Sequence, residues 1–181
     1  ELKIAYRDVP ELKDQILYYR GYVSFLKRKD TRAVKMLEEI VNKYPLSSKR
    51  NGAIQVLQEI YFGEGADSLY IAISGKYTAP KSDYQLYRLA QSYYNIGSIE
   101  KAKKIFNGLI NNKQYALRSK EMLALISYTE KGADVAINNF LKLQTEYRNT
   151  DSYYDFIILS LARLYAIKKE KNQIPKNMDL K

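Results

Sequence analysis

Small side chains recur at a fixed spacing along this chain, and they limit its fold more than any other feature of the sequence. Within each of three pairs the two small residues are twelve positions apart, and the second and third pairs are 34 positions apart. Two antiparallel helices approach closely only where the facing side chains are small, so each pair predicts the closest contact of a helix hairpin. The three pairs are Gly21 and Ala33, Ala90 and Ala102, and Ala124 and Ala136.

A large apolar residue follows the second member of each pair by four positions: Leu37, Phe106 and Phe140. One helical turn separates the small and the large residue, so both lie on one face of the helix. The large side chain is expected to fill the groove towards the next hairpin. Each hairpin leaves an apolar face open and has to stack on a neighbour, which predicts a helical repeat array.

Apolar residues follow helical spacing along most of the chain, and the turn signals between them divide it into hairpins. The first hairpin covers residues 11–45, turns at Lys29-Asp30-Thr31 and ends at Pro45, because proline cannot continue a helix. The next is predicted over residues 84–111 with its turn at Gly97-Ser98. A further hairpin covers residues 117–147 and turns near Lys131-Gly132, and a last helix begins after residue 152.

Residues 46–80 carry the weakest pattern. Residues 48–62 are predicted to form a helix that Gly63-Glu64-Gly65 ends, and residues 69–73 a short second helix. A strand is the alternative for the sequence LYIAI, because Ile and Tyr are good strand formers.

The composition excludes several classes of chemistry. The chain has no His and no Cys, which removes the usual neutral-pH base and the thiolate ligands of zinc. Glu38, Glu39 and Glu59 are candidate paired acids, but runs of glutamate are routine on solvated helices. No catalytic residue, metal site or cofactor is therefore predicted, and no run of 18 apolar residues suggests a transmembrane segment. The net charge of +10 favours anionic partners and keeps nucleic acid open as an alternative partner.

The spacing of these residues resembles the tetratricopeptide repeat, a helix-turn-helix unit of 34 residues. The motif positions are Leu86, Leu89, Ala90 and Tyr93 on one helix, Ala102 and Phe106 on the next, and Ile158, Leu161, Ala162 and Tyr165 on the last. Residues 46–80 depart from the motif, with Ser68 and Ala72 where small and bulky residues belong.

The resemblance implies an all-α fold, a right-handed superhelical stack of antiparallel helix hairpins with three to four repeats and a terminal helix. It implies a repeat domain at residues 11–167, after a lead-in at residues 1–10 and before a basic polar tail at residues 169–181. The repeats fall at residues 14–47, 48–82, 83–116 and 117–150, and the terminal helix at residues 152–168.

A shorter pattern, Tyr44-Pro45-Leu46-Ser47 followed by Ala53, Leu57 and Tyr61, resembles the YPxS linker of bacterial envelope repeat proteins. These include the outer-membrane-assembly lipoprotein and the periplasmic coordinator of the Tol–Pal system. The resemblance implies a bacterial cell-envelope or periplasmic location, with the cytoplasm as the alternative. The lipid-bearing Cys of such lipoproteins is absent, although a mature form could begin just after it.

In such a stack, the first helix of each hairpin lines a concave groove, and tyrosines there offer a large contact area at low entropic cost. The expected function is a non-enzymatic scaffold that holds a peptide or helix of another protein, of aromatic or basic character. The alternative is a basic helical repeat that binds nucleic acid. The predicted partner-binding residues are Tyr18, Tyr22, Gln55, Glu59, Tyr84, Tyr87, Gln91 and Tyr94.

Overall fold

A computed structural model describes residues 12–148 and 154–168, and these residues form nine α-helices and no strand. The predicted all-α fold class is confirmed. The lead-in at residues 1–10 and the tail at residues 169–181 lie outside the described residues. The helices are α1 Lys13–Leu26, α2 Asp30–Lys43, α3 Arg50–Gly63, α4 Asp67–Gly75, α5 Asp83–Asn95, α6 Ile99–Leu109, α7 Ala116–Lys131, α8 Ala133–Glu146 and α9 Tyr154–Ile167.

The chain divides into two compact units between Ser98 and Ile99. In the first unit α1 packs on α2, α2 on α3, α3 on α4 and α4 on α5, and α1 also contacts α3. In the second unit α6 packs on α7, α7 on α8 and α8 on α9. The predicted repeat at residues 83–116 spans the division, and the repeat boundaries stay a prediction. None of the helices in the described residues is both long and apolar enough to span a bilayer.

Local sequence signals account for the helix ends around α5. Ser82 is the N-cap of α5: its hydroxyl accepts a hydrogen bond from the Gln85 backbone N–H at 3.3 Å. The Gln85 side chain in turn accepts one from the Ser82 backbone N–H at 3.0 Å, which completes a capping box. At the other end Gly97 takes a φ of 78°, so the left-handed turn predicted there is confirmed.

The weakly patterned segment is helical, and the strand alternative for LYIAI is wrong. These residues belong to α4, a helix of nine residues, in which Tyr70 and Ser74 are each 1% exposed. The Gln58 side-chain amide donates to the Ser74 hydroxyl at 2.8 Å and joins α4 to α3. The strand propensity of Ile and Tyr does not determine the conformation here, because the tertiary packing of one face of α4 favours the helix.

The second hairpin follows the first by 37 residues rather than 34. The starts of α1 and α3 are 37 residues apart, and so are those of α2 and α4. This register makes Gln58 and Tyr70 the equivalents of Gly21 and Ala33, and both are buried. This segment has no small pair, because the large side chains of Gln58 and Tyr70 occupy the two positions.

The small residues of all three pairs lie in the core, whereas Ala162, the small motif position of the last helix, is exposed. A Cβ added to Gly21 would stand 2.9 Å from both Cγ and Cδ2 of Leu37, a side chain with no exposed surface. The helices α1 and α2 therefore approach as closely as the spacing predicts. The five alanines Ala33, Ala90, Ala102, Ala124 and Ala136 are at most 2% exposed.

Replacing Gly21 with valine is expected to destabilise the protein by about 1–2 kcal/mol, because the added atoms overpack the contact with Leu37. Urea unfolding followed by circular dichroism at 222 nm measures the change. Gly108→Ala is the matched control, since its added Cβ would meet nothing within 4 Å apart from the backbone of its own helix, and alanine favours a helix. A Gly21→Val protein as stable as the Gly108→Ala protein would contradict the close approach.

Candidate functional site

A groove of about 660 Å³ lies within the first unit, lined by α1, α3, α4, α5 and the connection that precedes α5. We call it the Tyr groove. Six of its fifteen lining residues are aromatic, and the other nine are Gly52, Gln55, Val56, Gln58, Glu59, Pro80, Lys81, Ser82 and Gln85. The aromatic members are Tyr18, Tyr22, Phe25, Tyr70, Tyr77 and Tyr84.

One wall of the Tyr groove is a row of aromatic rings on α1. The rings of Tyr18 and Tyr22 stack with centroids 6.1 Å apart and planes within 10°, and Phe25 lies 6.4 Å beyond Tyr22. The Tyr18 ring lies against α3 where a Cβ on Gly52 would come within 3.1 Å of it. The absence of a side chain at Gly52 thus gives Tyr18 its place in the wall.

Hydrogen bonds between side chains hold the opposite wall. The Gln55 amide donates to the Tyr77 hydroxyl at 2.8 Å, and the Gln85 amide donates to the Gln58 carbonyl oxygen at 2.9 Å. Burial raises the pKa of Tyr70 to about 12, so its hydroxyl stays protonated at neutral pH. The lining is therefore fixed by contacts within the protein before any partner arrives, which lowers the entropic cost of binding.

The charge of Glu59 is compensated within the protein. The Arg88 guanidinium bonds the Glu59 carboxylate at 2.7 Å and stacks 4.2 Å from the ring centroids of both Phe62 and Tyr84. The Tyr84 hydroxyl also donates to this carboxylate, at 3.5 Å. A partner in the Tyr groove would meet an ion pair rather than a free carboxylate, so Glu59 does not select a basic partner.

The structure brings five of the eight predicted partner-binding residues together in the lining. Gln91 and Tyr94 are partly exposed but do not line the groove. Tyr87 is 8% exposed and belongs to the core, because it lies three residues before the buried Ala90 on the same side of α5. The five lining residues are Tyr18, Tyr22, Gln55, Glu59 and Tyr84.

Several lining residues were not predicted from the sequence. Phe25 follows Tyr22 by one turn on the same face of α1, so helical spacing could have found it. Tyr77 and Pro80 lie in the connection between α4 and α5, where no periodicity points to a groove. Tyr70 lies on the second helix of its hairpin, which was expected to be core, and it is both buried and part of the lining.

The model of the tetratricopeptide repeat family matches two segments of the chain. Residues 15–47 and 86–112 are matched. Each matched segment is similar to a tetratricopeptide repeat. The first of them holds the α1 wall of the Tyr groove, and the second begins within α5, which supplies the opposite side. No curated protein matches the sequence.

Solved structures with such repeats share the fold. The C-terminal part of a TPR repeat-containing protein from Cytophaga hutchinsonii is 18% identical with a TM-score of 0.65, over 94% of this chain and 69% of that one. A candidate kinesin light chain of Podosopora anserina with nearly identical TPR-like repeats is 17% identical with a TM-score of 0.56, over 87% of both chains. A single-residue variant of the latter protein is 16% identical with a TM-score of 0.57, over 88% of this chain and 89% of that one. With the helices described above, these likenesses confirm the tetratricopeptide-like fold.

Proposed function

We propose that this chain is a non-enzymatic scaffold whose Tyr groove holds an extended segment of another protein. Tetratricopeptide repeats generally mediate protein–protein interaction. The observation that carries the proposal is the set of six aromatic rings around one groove of a single compact unit. Tyrosine rings supply apolar contact area, and their hydroxyl groups orient the hydrogen-bonding groups of a bound peptide.

The charges of the lining favour a peptide over a nucleic acid. Its only ionic side chains are Lys81 and Glu59, and Glu59 is paired with Arg88. A groove that follows a phosphate backbone needs several free cationic side chains along its length. A segment with apolar and aromatic side chains fits the Tyr groove better, with its backbone hydrogen-bonded to tyrosine hydroxyls and glutamine amides.

The setting we propose is the bacterial cell envelope, on the strength of the YPxS-like linker. In the structure this linker is a turn: the Ser47 N–H donates to the Tyr44 carbonyl at 3.1 Å, and the Ser47 hydroxyl accepts from the Lys49 N–H at 3.0 Å. Immunoblots of periplasmic and cytoplasmic fractions of the source organism test the location. Recovery only in the cytoplasmic fraction would refute it.

Peptides selected from a random phage-displayed library on the purified chain test the groove. The double variant Tyr22→Ala/Tyr84→Ala removes two partly exposed groove rings. It is expected to weaken binding of the selected peptides by about 30- to 100-fold, since each anchoring aromatic contributes about 1–1.4 kcal/mol. Fluorescence anisotropy measures the Kd. Raising salt from about 50 to 200 mM should change the Kd little, whereas nucleic-acid binding would fall steeply.

The matched control is Phe156→Ala, which removes an exposed aromatic ring from the second unit. It is expected to leave the affinity unchanged. A selection that returns no peptide, or peptides that bind the double variant as tightly as the unaltered chain, would argue against the Tyr groove as the binding site.

A further inference from the structure

The face of α1 opposite its packed side is apolar and open. Tyr19, Val23 and Leu26 are 50%, 47% and 60% exposed, and Leu12 is 40% exposed at the start of the helix. Tyr19, Val23 and Leu26 are four and then three positions apart, which places them in one stripe along α1. Ile16, which lies between Leu12 and Tyr19 on the same face, is 7% exposed, so the open stripe runs from Tyr19 to Leu26 and is about 10 Å long. We call it the outer stripe; it borders the aromatic wall formed by Tyr18, Tyr22 and Phe25, because the ring centroids of Tyr18 and Tyr19 are 5.3 Å apart and Lys49 Nζ lies 5.1 Å from the Tyr19 centroid.

The structure itself indicates what kind of element covers such a stripe. At the 37-residue offset, Tyr19 and Val23 correspond to Val56 and Ile60 on α3, which are 7% and 3% exposed, whereas Leu26 corresponds to the exposed Gly63. There α3 packs against α1 and α2 as well as α4, whereas the main packing partners of α1 are α2 and α3. Among the described residues, the corresponding face of α1 is open. Its natural occupant is therefore a helix.

A basic turn adjoins the outer stripe at its C-terminal end. The sequence KRKDTR at residues 27–32 carries four cationic side chains and one carboxylate, and the cationic side chains Lys27, Arg28, Lys29 and Arg32 are all exposed. Within residues 12–148 and 154–168, no salt bridge joins any of the four to a carboxylate. Their charge is available to a partner.

The backbone of this turn holds an arginine in a conformation that favours glycine. Arg28 has a φ of 55°, and it is the sole non-glycine residue with a positive φ in the described part of the chain. Two backbone bonds fix the turn, from the Arg28 N–H to the Phe25 carbonyl and from the Lys29 N–H to the Ser24 carbonyl, both at 2.9 Å. The equivalent positions in the next two hairpins are Gly65 and Gly97, with φ of 67° and 78°. The first hairpin thus carries a cation where glycine would be less strained.

We propose that the outer stripe and the basic turn together form a docking surface for an amphipathic helix of another protein that has an acidic end. Leucine or isoleucine side chains at helical spacing would cover Tyr19, Val23 and Leu26. Asp or Glu residues at one end of that helix would meet Lys27, Arg28, Lys29 and Arg32. This surface does not depend on the Tyr groove.

Charge and exposure favour this occupant over the others. A second copy of this chain carries the same charge of +10, which opposes self-association at a basic turn. A nucleic acid would engage the cations and leave the apolar stripe uncovered.

A displayed library of helical peptides of about 20 residues, long enough to cover the stripe, tests the proposal with the full chain as bait. Leucines are fixed at helical spacing, and the remaining positions are randomised among Asp, Asn and Lys. The expected result is at least about tenfold enrichment of Asp over Lys at one peptide end, consistent with about 1.4 kcal/mol. No enrichment, or enrichment of Lys, would overturn the proposal.

Variants of the chain then locate the binding site of the enriched peptides. Lys29→Glu/Arg32→Glu should reverse the preference towards Lys-ended peptides, and Val23→Ser/Leu26→Ser should weaken both kinds about tenfold or more. The control Lys104→Glu/Lys113→Glu alters two exposed lysines of the second unit with the same change in net charge and should have no effect. An unreversed preference in the first variant would place the acidic contact elsewhere and overturn the proposal.

The variant Arg28→Gly tests whether Arg28 contacts the acidic end of the peptide or only shapes the turn. It relieves the left-handed strain, so the chain should become more stable in urea while its affinity for the acidic-ended peptides falls about three- to tenfold. A loss of stability, or unchanged affinity, would contradict the proposal. Two further results would assign the surface to another occupant. If the chain binds vesicles with about 30% phosphatidylserine and Val23→Ser/Leu26→Ser abolishes this binding, the occupant is a membrane. If sedimentation shows a dimer that the same variant dissociates, the occupant is a second copy of the chain.

Discussion

Replacing Phe140 with alanine is expected to lower the free energy of unfolding by about 4 kcal/mol, the largest loss we expect from any single substitution in the second unit. Phe140 has no exposed surface and packs among Leu117, Ile137, Leu161 and other buried residues of α7, α8 and α9. Truncation removes the contacts of the ring and leaves a cavity that packed neighbours close only in part. Urea unfolding followed by circular dichroism at 222 nm gives the value.

Phe156→Ala is the control for this measurement, since the Phe156 ring is 41% exposed on α9. A change of less than about 1 kcal/mol is expected for it, because little of the ring leaves a packed environment. Equal losses for the two variants would mean that Phe140 is not at the centre of the core of the second unit.

The stability of the protein is expected to fall as the pH rises from about 5 to about 8, because of one buried carboxyl group. Glu121 on α7 is 6% exposed, and its Oε1 atom has no hydrogen-bond partner. Burial raises the pKa of Glu121 from 4.5 to about 7, against a smaller lowering by the positive charge of Arg118. The folded protein therefore binds a proton at Glu121 more tightly than the unfolded chain does.

The sign of the effect follows from this difference. The contribution to stability is complete below about pH 4.5, where Glu121 is protonated in both states, and is lost as the pH rises through 7. The shift corresponds to about 3 kcal/mol, and partial access of solvent to the carboxyl reduces the expected loss to about 2 kcal/mol. Chemical unfolding at a series of pH values measures it.

Glu121→Gln keeps the shape of the side chain and removes the ionisation. This variant should lose that part of the pH dependence and exceed the unaltered chain in stability by about 2 kcal/mol at pH 8. Glu64→Gln, at an exposed position, should keep the slope of the unaltered chain. If Glu121→Gln and the unaltered chain show parallel stability curves between pH 5 and pH 8, the carboxyl is not held in an apolar environment.

The helices were predictable because their signals are local. The small residues of all three pairs are buried, Gly97 takes the left-handed turn conformation, and Gly132 separates α7 from α8 with a φ of 84°. Side chains three and four residues apart share a helix face whatever the rest of the chain does. Helical spacing alone is thus enough to place hairpins and to identify their closest contacts.

The Tyr groove was only partly predictable because it is assembled from distant parts of the chain. Tyr18 and Tyr84 share this groove across 66 residues, and Tyr77 enters it from an irregular connection. Helical spacing identified the faces that carry Tyr22 and Tyr84, but it also included Tyr87, which the packing of α5 buries. The exposure of a side chain depends on which neighbour covers it, and no periodicity within one helix contains that information.

The amino-acid sequence by itself determined the all-helical fold, the turns at Gly97 and Gly132 and the small contact residues of the three pairs, because each depends on residues within a few positions of one another. The first turn lies at residues 27–29 rather than at Lys29-Asp30-Thr31, since Asp30 and Thr31 already belong to α2. The tertiary structure alone decided the 37-residue offset of the second hairpin, the neutralisation of Glu59 by Arg88 and the burial of Glu121. These features depend on which surfaces meet after the helices form. Packing free energy is summed over contacts between helices that lie far apart in the sequence.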